Sequence, residues 1–496
     1  MDSMMIDFYE LTMGQGYFDE KKHETQSCFD LFFRKCPDGA SFVIANGVDA
    51  CVDFVKNFHF EKEDIDYLRS LNKFSEDYLD YLSNLKFTGD IYAVKDGTIV
   101  FPHEPVITVK APLIQAQLIE TGLLLLFNRS SLITTKASRI VRAAKGRGVM
   151  EFGSRRAQGF SAANDGALDA YIAGAIGTAC TVSGRDYGVP VLGTMAHSFV
   201  QSFDSEYEAF CAYCRAFPDN ATLLVDTYDT LRSGIPNAIK AYNDVLKPMG
   251  KRLAGIRIDS GDLAYLTKMA RVMLDKAKLC DAKICVSNSL DEELIENLLL
   301  QGAPIDSFGV GENLITAKSS PVFGGVYKLS AIEKNGELIP KIKISDNVEK
   351  TTNPGFKDIV RLYDQNGKII TDVITLFGEE FPKDIYTLID PNNSYVTKQI
   401  SNYTIRHIRD KVVENGDDIS QKRSVLEKRD YVQKELATLW EENLRLKNPQ
   451  TFIINLSPKL AKTKEKLIQE HIANKTPKIV KKFEKKEKID ENSRKI

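Results

Sequence analysis

The feature that most constrains the fold is a series of short apolar runs that starts near residue 148. Each run ends in polar residues and precedes a helical stretch; the runs are GVMEFGSRR, VPVLGTMAHS, ATLLVDTYDT, LAGIRIDSGD, AKICVSNSLDE and DSFGVGENL. Strands that alternate with helices predict a parallel sheet. Six such units favour a β/α barrel, whose chemistry lies at the carboxyl ends of the strands. A doubly wound open sheet is the alternative.

The rest of the chain is divided around this core. Residues 1–130 mix helical and strand-like patterns and predict an N-terminal α/β domain, whereas residues 131–335 contain the barrel units. Residues 336–473 predict a mixed α/β segment that covers the core. Residues 474–496 are rich in lysine and poor in large apolar side chains, which is typical of a disordered tail.

Composition argues against several function classes. The 496 residues carry a formal net charge of −2, so overall charge gives no reason to expect nucleic acid or an anionic membrane as a partner. The N-terminus lacks the features of a signal peptide, and the apolar run at 123–127 is too short to span a bilayer, which predicts a cytoplasmic protein. Cys211 and Cys214 form a C-x-x-C within a helical pattern, without a second pair, which favours helix packing over zinc binding.

Charged residues interrupt the apolar run LAGIRIDSGDL. Side chains alternate along a strand, so Arg257 and Asp259 share one face, and Ile256 and Ile258 occupy the other. A fully buried parallel strand is normally apolar on both faces. The charged pair is therefore expected at the mouth of the barrel as part of a ligand site, and an ion pair inside the barrel is the alternative.

Two further strand ends carry residues suited to an anionic ligand. In MEFGSRRAQG, Arg155 and Arg156 can bind a phosphate or carboxylate, and Phe152 offers a stacking surface for a flat ring. In FGVGENL, Gly309 and Gly311 allow backbone N–H groups to approach phosphate oxygens. This pattern is neither a Walker A motif nor a Rossmann fingerprint, which argues against a P-loop NTPase and a dinucleotide dehydrogenase.

His197 ends the apolar run in VLGTMAHSFV. Near a bound nucleotide, an imidazole can act as a nucleophile toward a phosphoryl group or as a general acid or base. The alternative is a histidine that bonds locally to Ser198 or Thr194. Asp226 and Asp229 of TLLVDTYDT are strand-end carboxylates, and either can orient the imidazole.

Taken in order over about residues 1–330, these motifs resemble the nicotinate phosphoribosyltransferase family. The resemblance rests on DFYELTM, QLIETGLLLLFNRSSLITTKASR, EFGSRRAQG, GTMAHS, DTYDT, RIDSGDL, SNSLDE and FGVGENL. It implies an enzyme of NAD salvage that joins nicotinate to 5-phosphoribosyl 1-diphosphate with Mg²⁺, coupled to ATP hydrolysis through a phosphohistidine. It also implies an α/β fold with an irregular, incomplete β/α barrel, an N-terminal α/β domain and a covering C-terminal segment, assembled as a homodimer.

The resemblance also assigns roles by position. His197 is the expected phosphohistidine, with Asp229 as its orienting partner, and Asp226 is a further catalytic candidate. Phe152 would stack on the pyridine ring, and Arg155 would help to bind it. The residues expected to bind the ribose-phosphate are Arg257, Asp259, Ser287, Asn288, Gly311 and Glu312. The metal ligands stay open.

The N-terminal segment DFYELTM is implied to reach the active site of the neighbouring subunit. Tyr9 would close the second face of the pyridine ring there, while Asp7 and Thr12 fix the segment. Ala179 in IGTACTVSG stands where relatives that use nicotinamide place Asp, which favours nicotinate. Another phosphoribosyltransferase, acting on nicotinamide or quinolinate, is the alternative; a sugar-phosphate barrel enzyme and a scaffold protein that acts through the lysine-rich tail are further ones.

Overall fold

The computed structural model describes residues 2–345, 350–390 and 393–475. Nearly all of the tail predicted over residues 474–496 lies outside these ranges. The helices are α1 Phe8–Asp19, α2 Val48–Lys56, α3 Lys62–Ser70, α4 Glu76–Ser83, α5 Leu113–Leu118, α6 Glu120–Ala143, α7 Phe160–Ile172, α8 Thr181–Tyr187, α9 His197–Gln201, α10 Glu206–Ala216, α11 Ile235–Ala241, α12 Leu263–Lys276, α13 Glu292–Leu300, α14 Glu312–Ile315, α15 Val425–Ala437, α16 Glu441–Leu444 and α17 Pro458–Lys475.

The strands form five sheets within the described ranges. Their bounds are β1 Gln26–Phe33, β2 Val43–Ile44, β3 Asp90–Val94, β4 Ile99–Val100, β5 Ile107–Pro112, β6 Gly148–Glu151, β7 Gly177–Thr178, β8 Thr222–Leu224, β9 Gly255–Ile258, β10 Lys283–Ser287, β11 Ser307–Val310, β12 Gly325–Lys334, β13 Glu337–Pro340, β14 Lys357–Tyr363, β15 Ile369–Leu376, β16 Ile385–Asp390, β17 Asn393–Ser401, β18 Thr404–His407, β19 Arg409–Glu414, β20 Asp417–Asp418 and β21 Ile454–Leu456. Across the described chain, no helix is both long enough and apolar enough to cross a membrane.

The largest sheet joins the two ends of the chain. It has the order β13-β12-β1-β5-β3-β19-β20, and its pairs are antiparallel. Strands β12 and β19 enter this sheet from positions far along the chain, and α6 runs through residue 130 without a break. The domain boundaries at residues 130, 335 and 473 stay predictions.

The second sheet is parallel throughout, as the alternating pattern predicts. Its order is β7-β6-β11-β10-β9-β8. In chain order, the step from β6 to β7 and the steps from β8 to β11 all go toward the same side of the sheet. The last of these strands in the chain, β11, pairs with the first, β6. A doubly wound sheet reverses direction at its middle. The order therefore contradicts that alternative, and it brings the carboxyl ends of these strands to one edge.

One of the six predicted strands is reduced to a single bridge. The run VPVLG contributes only the parallel bridge between Thr178 and Val191, and the short strand β7 lies between it and β6. Pro190 lacks an N–H, so it can only accept, and its carbonyl takes the N–H of Thr178 at 2.9 Å. The segment after it is therefore free to turn toward the strand ends as a loop.

Buried charges attach the C-terminal segment to the N-terminal part. Arg361 on β14 is fully buried and pairs with Asp372 at 2.6 Å and with Glu435 at 3.2 Å. Its Nη2 also donates to the carbonyl of Ile99 at 2.6 Å. A buried cation is stable only when its donors are satisfied, so these contacts fix the segment in one position.

Candidate active site

The carboxyl edge of the parallel sheet opens into a cavity of about 460 Å³. Its walls follow strands β6, β7, β8 and β9, and the loop before α9 completes them. The lining consists of Phe152, Arg155, Ala179, residues 193–198, Leu224, Arg257 and Asp259. The structure therefore brings together Phe152, Arg155, His197, Arg257 and Asp259, which come from three separate stretches of the sequence.

Arg257 and Asp259 form an ion pair where β9 ends. Arg257 Nη2 donates to Asp259 Oδ1 at 2.9 Å, while Ile256 and Ile258 are fully buried on the other face of the strand. Arg257 Nε donates to the hydroxyl of Ser287 at 2.9 Å, and that hydroxyl donates to Asp259. Ser287 is buried and its hydroxyl bonds to both charged side chains, so it holds the ion pair in position, and its predicted contact with the ribose stays a prediction.

The ring of Phe152 lies against a glycine. A Cβ built on Gly309 would be 2.6 Å from the Cδ2 of Phe152, so only glycine leaves room for the ring. The guanidinium carbon of Arg257 lies 5.5 Å from the ring centroid. Gly309 itself is inside β11, between β6 and β10, so the prediction that its N–H approaches a phosphate is wrong.

Arg155 brings an unpaired positive charge to the cavity. It is exposed in the turn after β6, and it forms no hydrogen bond or ion pair with any residue in the described ranges. Ala179 lies on the same cavity and contributes no carboxylate. Asp259 balances the charge of Arg257. The unpaired guanidinium of Arg155 therefore gives the cavity a net attraction for an anion.

The imidazole of His197 is held by a residue that the sequence did not indicate. Its Nδ1 lies 3.1 Å from the hydroxyl of Thr227, and its Nε2 lies 3.9 Å from Oδ2 of Asp259. Asp229 was predicted to orient this ring. Its carboxylate instead accepts from the N–H groups of Leu231 and Arg232, at 3.1 and 2.8 Å, and caps the turn after β8. Both N–H groups bond to Oδ1, so in this structure Thr227 and not Asp229 contacts the imidazole, and the orienting role of Asp229 stays a prediction.

Asp226 contacts the ion-pair strand directly. Its Oδ2 accepts from the N–H of Asp259 at 2.8 Å and from the hydroxyl of Ser260 at 2.7 Å. Its Oδ1 is buried without a hydrogen-bond partner among the described residues. A buried carboxylate oxygen that lacks a donor is costly, so this atom is suited to a bound cation.

The remaining residues predicted for the ribose-phosphate lie at the same sheet edge but outside the cavity lining. Asn288 follows β10 in the left-handed region at φ 96°, and its side chain is exposed. Gly311 precedes α14, and a Cβ there would lie 3.3 Å from the carbonyl of Phe152. Glu312 pairs with Lys318 at 2.7 Å, and the ammonium keeps the pKa of Glu312 low.

Tyr9 does not line the cavity of its own chain. It lies on α1 and is 44% exposed, and partial burial together with the nearby carboxylates Glu120 and Glu10 raises its pKa. The N–H of Asp7 donates to the hydroxyl of Thr121 at 3.3 Å, and Thr12 donates to the carbonyl of Tyr9 at 3.0 Å. The start of α1 is thus attached to the start of α6.

Two threonines of the site were missed. Thr227 contacts His197, and Thr194 accepts from Arg257 Nη1 at 3.2 Å. Thr194 entered the sequence reasoning only as a local partner of His197. Their position in the sequence could have indicated them. Both threonines follow apolar runs and lie next to residues predicted for the site, where a hydroxyl can orient a charged neighbour.

Comparison with known proteins agrees with this geometry. Family models match residues 4–128 as the nicotinate phosphoribosyltransferase N-terminal domain, 148–371 as the nicotinate phosphoribosyltransferase family and 356–464 as the C-terminal domain. Nicotinate phosphoribosyltransferase of Bacillus subtilis is 41% identical over 459 residues, covering 92% of this chain and 93% of the relative. The Caenorhabditis elegans enzyme is 33% identical over 519 residues, covering 92% of each chain. The crystal structure of human nicotinic acid phosphoribosyltransferase superposes with a TM-score of 0.81 at 28% identity, covering 93% of this chain and 99% of that one.

A chain with this parallel sheet, this strand-end cavity and these relatives is a phosphoribosyltransferase. The matched residues extend over most of its length, and the identities to full relatives exceed 30%. The chain belongs to the nicotinate phosphoribosyltransferase family and is an enzyme of NAD biosynthesis. The substrates nicotinate and 5-phosphoribosyl 1-diphosphate follow from that membership, as the sequence motifs indicated.

Proposed function

We propose that the strand-end cavity binds the pyridine ring of nicotinate against Phe152, with its carboxylate on Arg155. The observation that carries this assignment is the unpaired guanidinium of Arg155 in a cavity whose other cation, Arg257, is already neutralised. Arginine binds a carboxylate through two parallel N–H donors. Ala179 places no negative charge beside the ring, so the cavity favours nicotinate over nicotinamide.

The ribose and diphosphate would lie toward Arg257 and Asp259. When the C1–diphosphate bond breaks, positive charge develops on the ribose and negative charge on the leaving group. Asp259 can stabilise the first and Arg257 the second, and Ser287 holds both in position before the reaction begins. The strand-end residues Asn288, Gly311 and Glu312 mark the side of the sheet edge where the 5′-phosphate would bind.

A magnesium ion fits Asp226. The unpartnered Oδ1 of Asp226 is a hard oxygen donor, and the Asp259 carboxylate lies on the neighbouring strand end. Mg²⁺ is commonly bound by one or two carboxylates together with substrate phosphates. When bound, the ion would neutralise charge on the departing diphosphate.

His197 is our candidate for the phosphorylated residue. If Nδ1–H donates to Thr227, the lone pair is on Nε2, which lies on the side of Asp259. Nε2 would take the γ-phosphoryl group of ATP, ADP would leave, and water would later release phosphate. The ring is 40% exposed, so a nucleotide can reach it.

The site is proposed to be shared across a homodimer. Met5, Phe8 and Tyr9 are exposed near the start of α1, while Leu125 is exposed on α6 and Phe160 at the start of α7. Contacts hold these elements together: Asp7 bonds to Thr121, and Arg129 donates to the carbonyl of Ala162 at 2.6 Å. Exposed apolar side chains grouped in this way favour a protein interface. An interface formed by this surface would place Tyr9 at the pyridine pocket of the partner subunit.

The parallel sheet is proposed to be an incomplete barrel. Its cyclic strand order is that of a barrel opened between β7 and β8, and the bridge at Val191 extends the β7 side of the opening. A gap at this position would leave room for the loop that carries His197. A cytoplasmic location stays part of this proposal.

The test combines product analysis with phosphoryl labelling. The protein is incubated with 5-phosphoribosyl 1-diphosphate and Mg²⁺, with and without ATP, and with nicotinate, nicotinamide or quinolinate. We expect nicotinate mononucleotide from nicotinate, faster with ATP, and label from γ-labelled ATP on the protein. The variant His197→Ala should lose the label and keep slow transfer, whereas the exposed control His59→Ala should keep both. Label on His197→Ala would contradict the assignment.

A further inference from the structure

A buried carboxylate lies directly behind the cavity, and the proposed chemistry does not use it. Glu151 is the last residue of β6 and is fully buried. No Lys, Arg or His in the described ranges forms an ion pair with it, and burial raises its pKa while two hydrogen bonds oppose the shift. It does not line the cavity. A buried acid without a cation is costly, so its position needs an explanation.

Each oxygen of Glu151 accepts from a different wall of the cavity. Oε1 accepts from the N–H of Gly153, in the turn between Phe152 and Arg155. Oε2 accepts from the hydroxyl of Thr178 at 2.6 Å, at the end of β7. One carboxylate therefore ties the wall that carries the aromatic ring to the wall that carries Ala179.

Two more bonds fix the second wall, one made by Glu151 itself and one by Thr178, which Glu151 holds. The N–H of Ala179 donates to the Glu151 carbonyl at 2.8 Å. The hydroxyl of Thr178 also accepts from the N–H of Cys180 at 2.9 Å. The residues on both sides of Ala179 are therefore positioned, directly or through Thr178, by Glu151.

We propose that Glu151 is a positioning residue that sets the distance between the Phe152–Arg155 wall and the Ala179 wall, and thereby the affinity for the pyridine ring. This inference rests on the proposed pyridine pocket. A carboxylate suits the role because it offers two acceptors in a fixed geometry. Glu151 forms no hydrogen bond with Arg257, Asp259 or Ser287, the residues that hold the ribose-phosphate side.

The decisive variant is Thr178→Val, which removes one arm of the bridge and keeps the volume. We expect KM for nicotinate to rise about tenfold, equivalent to about 1.4 kcal/mol, while KM for 5-phosphoribosyl 1-diphosphate changes less than about twofold. Thr178→Ser restores the hydroxyl and should recover most of the affinity. Thr267→Val is the matched control, because Thr267 is equally buried but bonds only within α12, and it should leave both KM values unchanged.

Other outcomes separate this inference from the pocket itself. If Thr178→Val folds normally and KM for nicotinate is unchanged, or both KM values rise equally, Glu151 has no such role. If Thr178→Val unfolds at the assay temperature, Glu151→Gln decides, because the amide keeps one acceptor and should raise KM for nicotinate selectively by a smaller factor. If Arg155→Ala also leaves KM for nicotinate unchanged, the pyridine pocket is misplaced, and both proposals fail.

Discussion

Replacing Arg155 by alanine tests the physical basis of substrate choice. The side chain of Arg155 forms no hydrogen bond or ion pair within the described protein, so its removal breaks none and should leave the fold intact. A hydrogen bond to a charged group contributes about 1.5–3 kcal/mol. Each 1.4 kcal/mol is about tenfold in affinity, and because Arg155 is exposed we expect the lower part of that range. KM for nicotinate should therefore rise by about 10–30-fold.

The neighbouring arginine provides the control. Arg156 is 62% exposed and lies 3.9 Å from Glu312, and it is absent from the cavity lining. Initial rates with Arg155→Ala and Arg156→Ala are measured at varied nicotinate and saturating 5-phosphoribosyl 1-diphosphate, and the same rates are measured in parallel with nicotinamide in place of nicotinate. Arg155→Ala should affect nicotinate alone, since nicotinamide has no carboxylate. Equal effects of the two variants, or equal losses on both pyridines, would refute the charge argument.

Two further predictions concern the N-terminal helix. Tyr9→Ala should raise KM for nicotinate while Tyr9→Phe, which keeps the ring, should not; a Tyr9→Ala protein that stays dimeric and fully active by sedimentation and rate measurements would exclude the shared site. Burial raises the pKa of Glu10 to about 8 from its ordinary 4.5, so the folded state holds a proton that the unfolded chain releases, and stability falls as pH rises between these values. Glu10→Gln keeps the hydrogen bond from Thr121. In urea titrations, the variant should exceed the natural protein in free energy of unfolding, and by more at pH 8 than at pH 6. An equal difference at the two pH values would contradict this prediction.

Family membership was accessible from the sequence because its motifs are short and local. The series of apolar runs predicted the parallel sheet, and alternation along LAGIRIDSGDL placed Arg257 and Asp259 on one face with the isoleucines buried behind them. Parallel strands end at one edge, so the polar residues that follow them had to converge. Strand-end position was enough to predict that Phe152, Arg155, Arg257 and Asp259 would lie at one edge of the sheet, and His197 reaches the same cavity although the strand predicted before it is reduced to one bridge.

The contacts between these side chains depended on the tertiary structure. Whether Thr227 or Asp229 reaches His197 is decided by the path of the chain after β8, where two backbone N–H groups use the Asp229 carboxylate as a cap. Gly309 packs against the ring of Phe152 from a neighbouring strand. Glu151 likewise links the turn after β6 to the end of β7. Sequence periodicity determines which face a residue occupies, but hydrogen bonds between distant segments are settled only when the strands pack and donors compete for each acceptor.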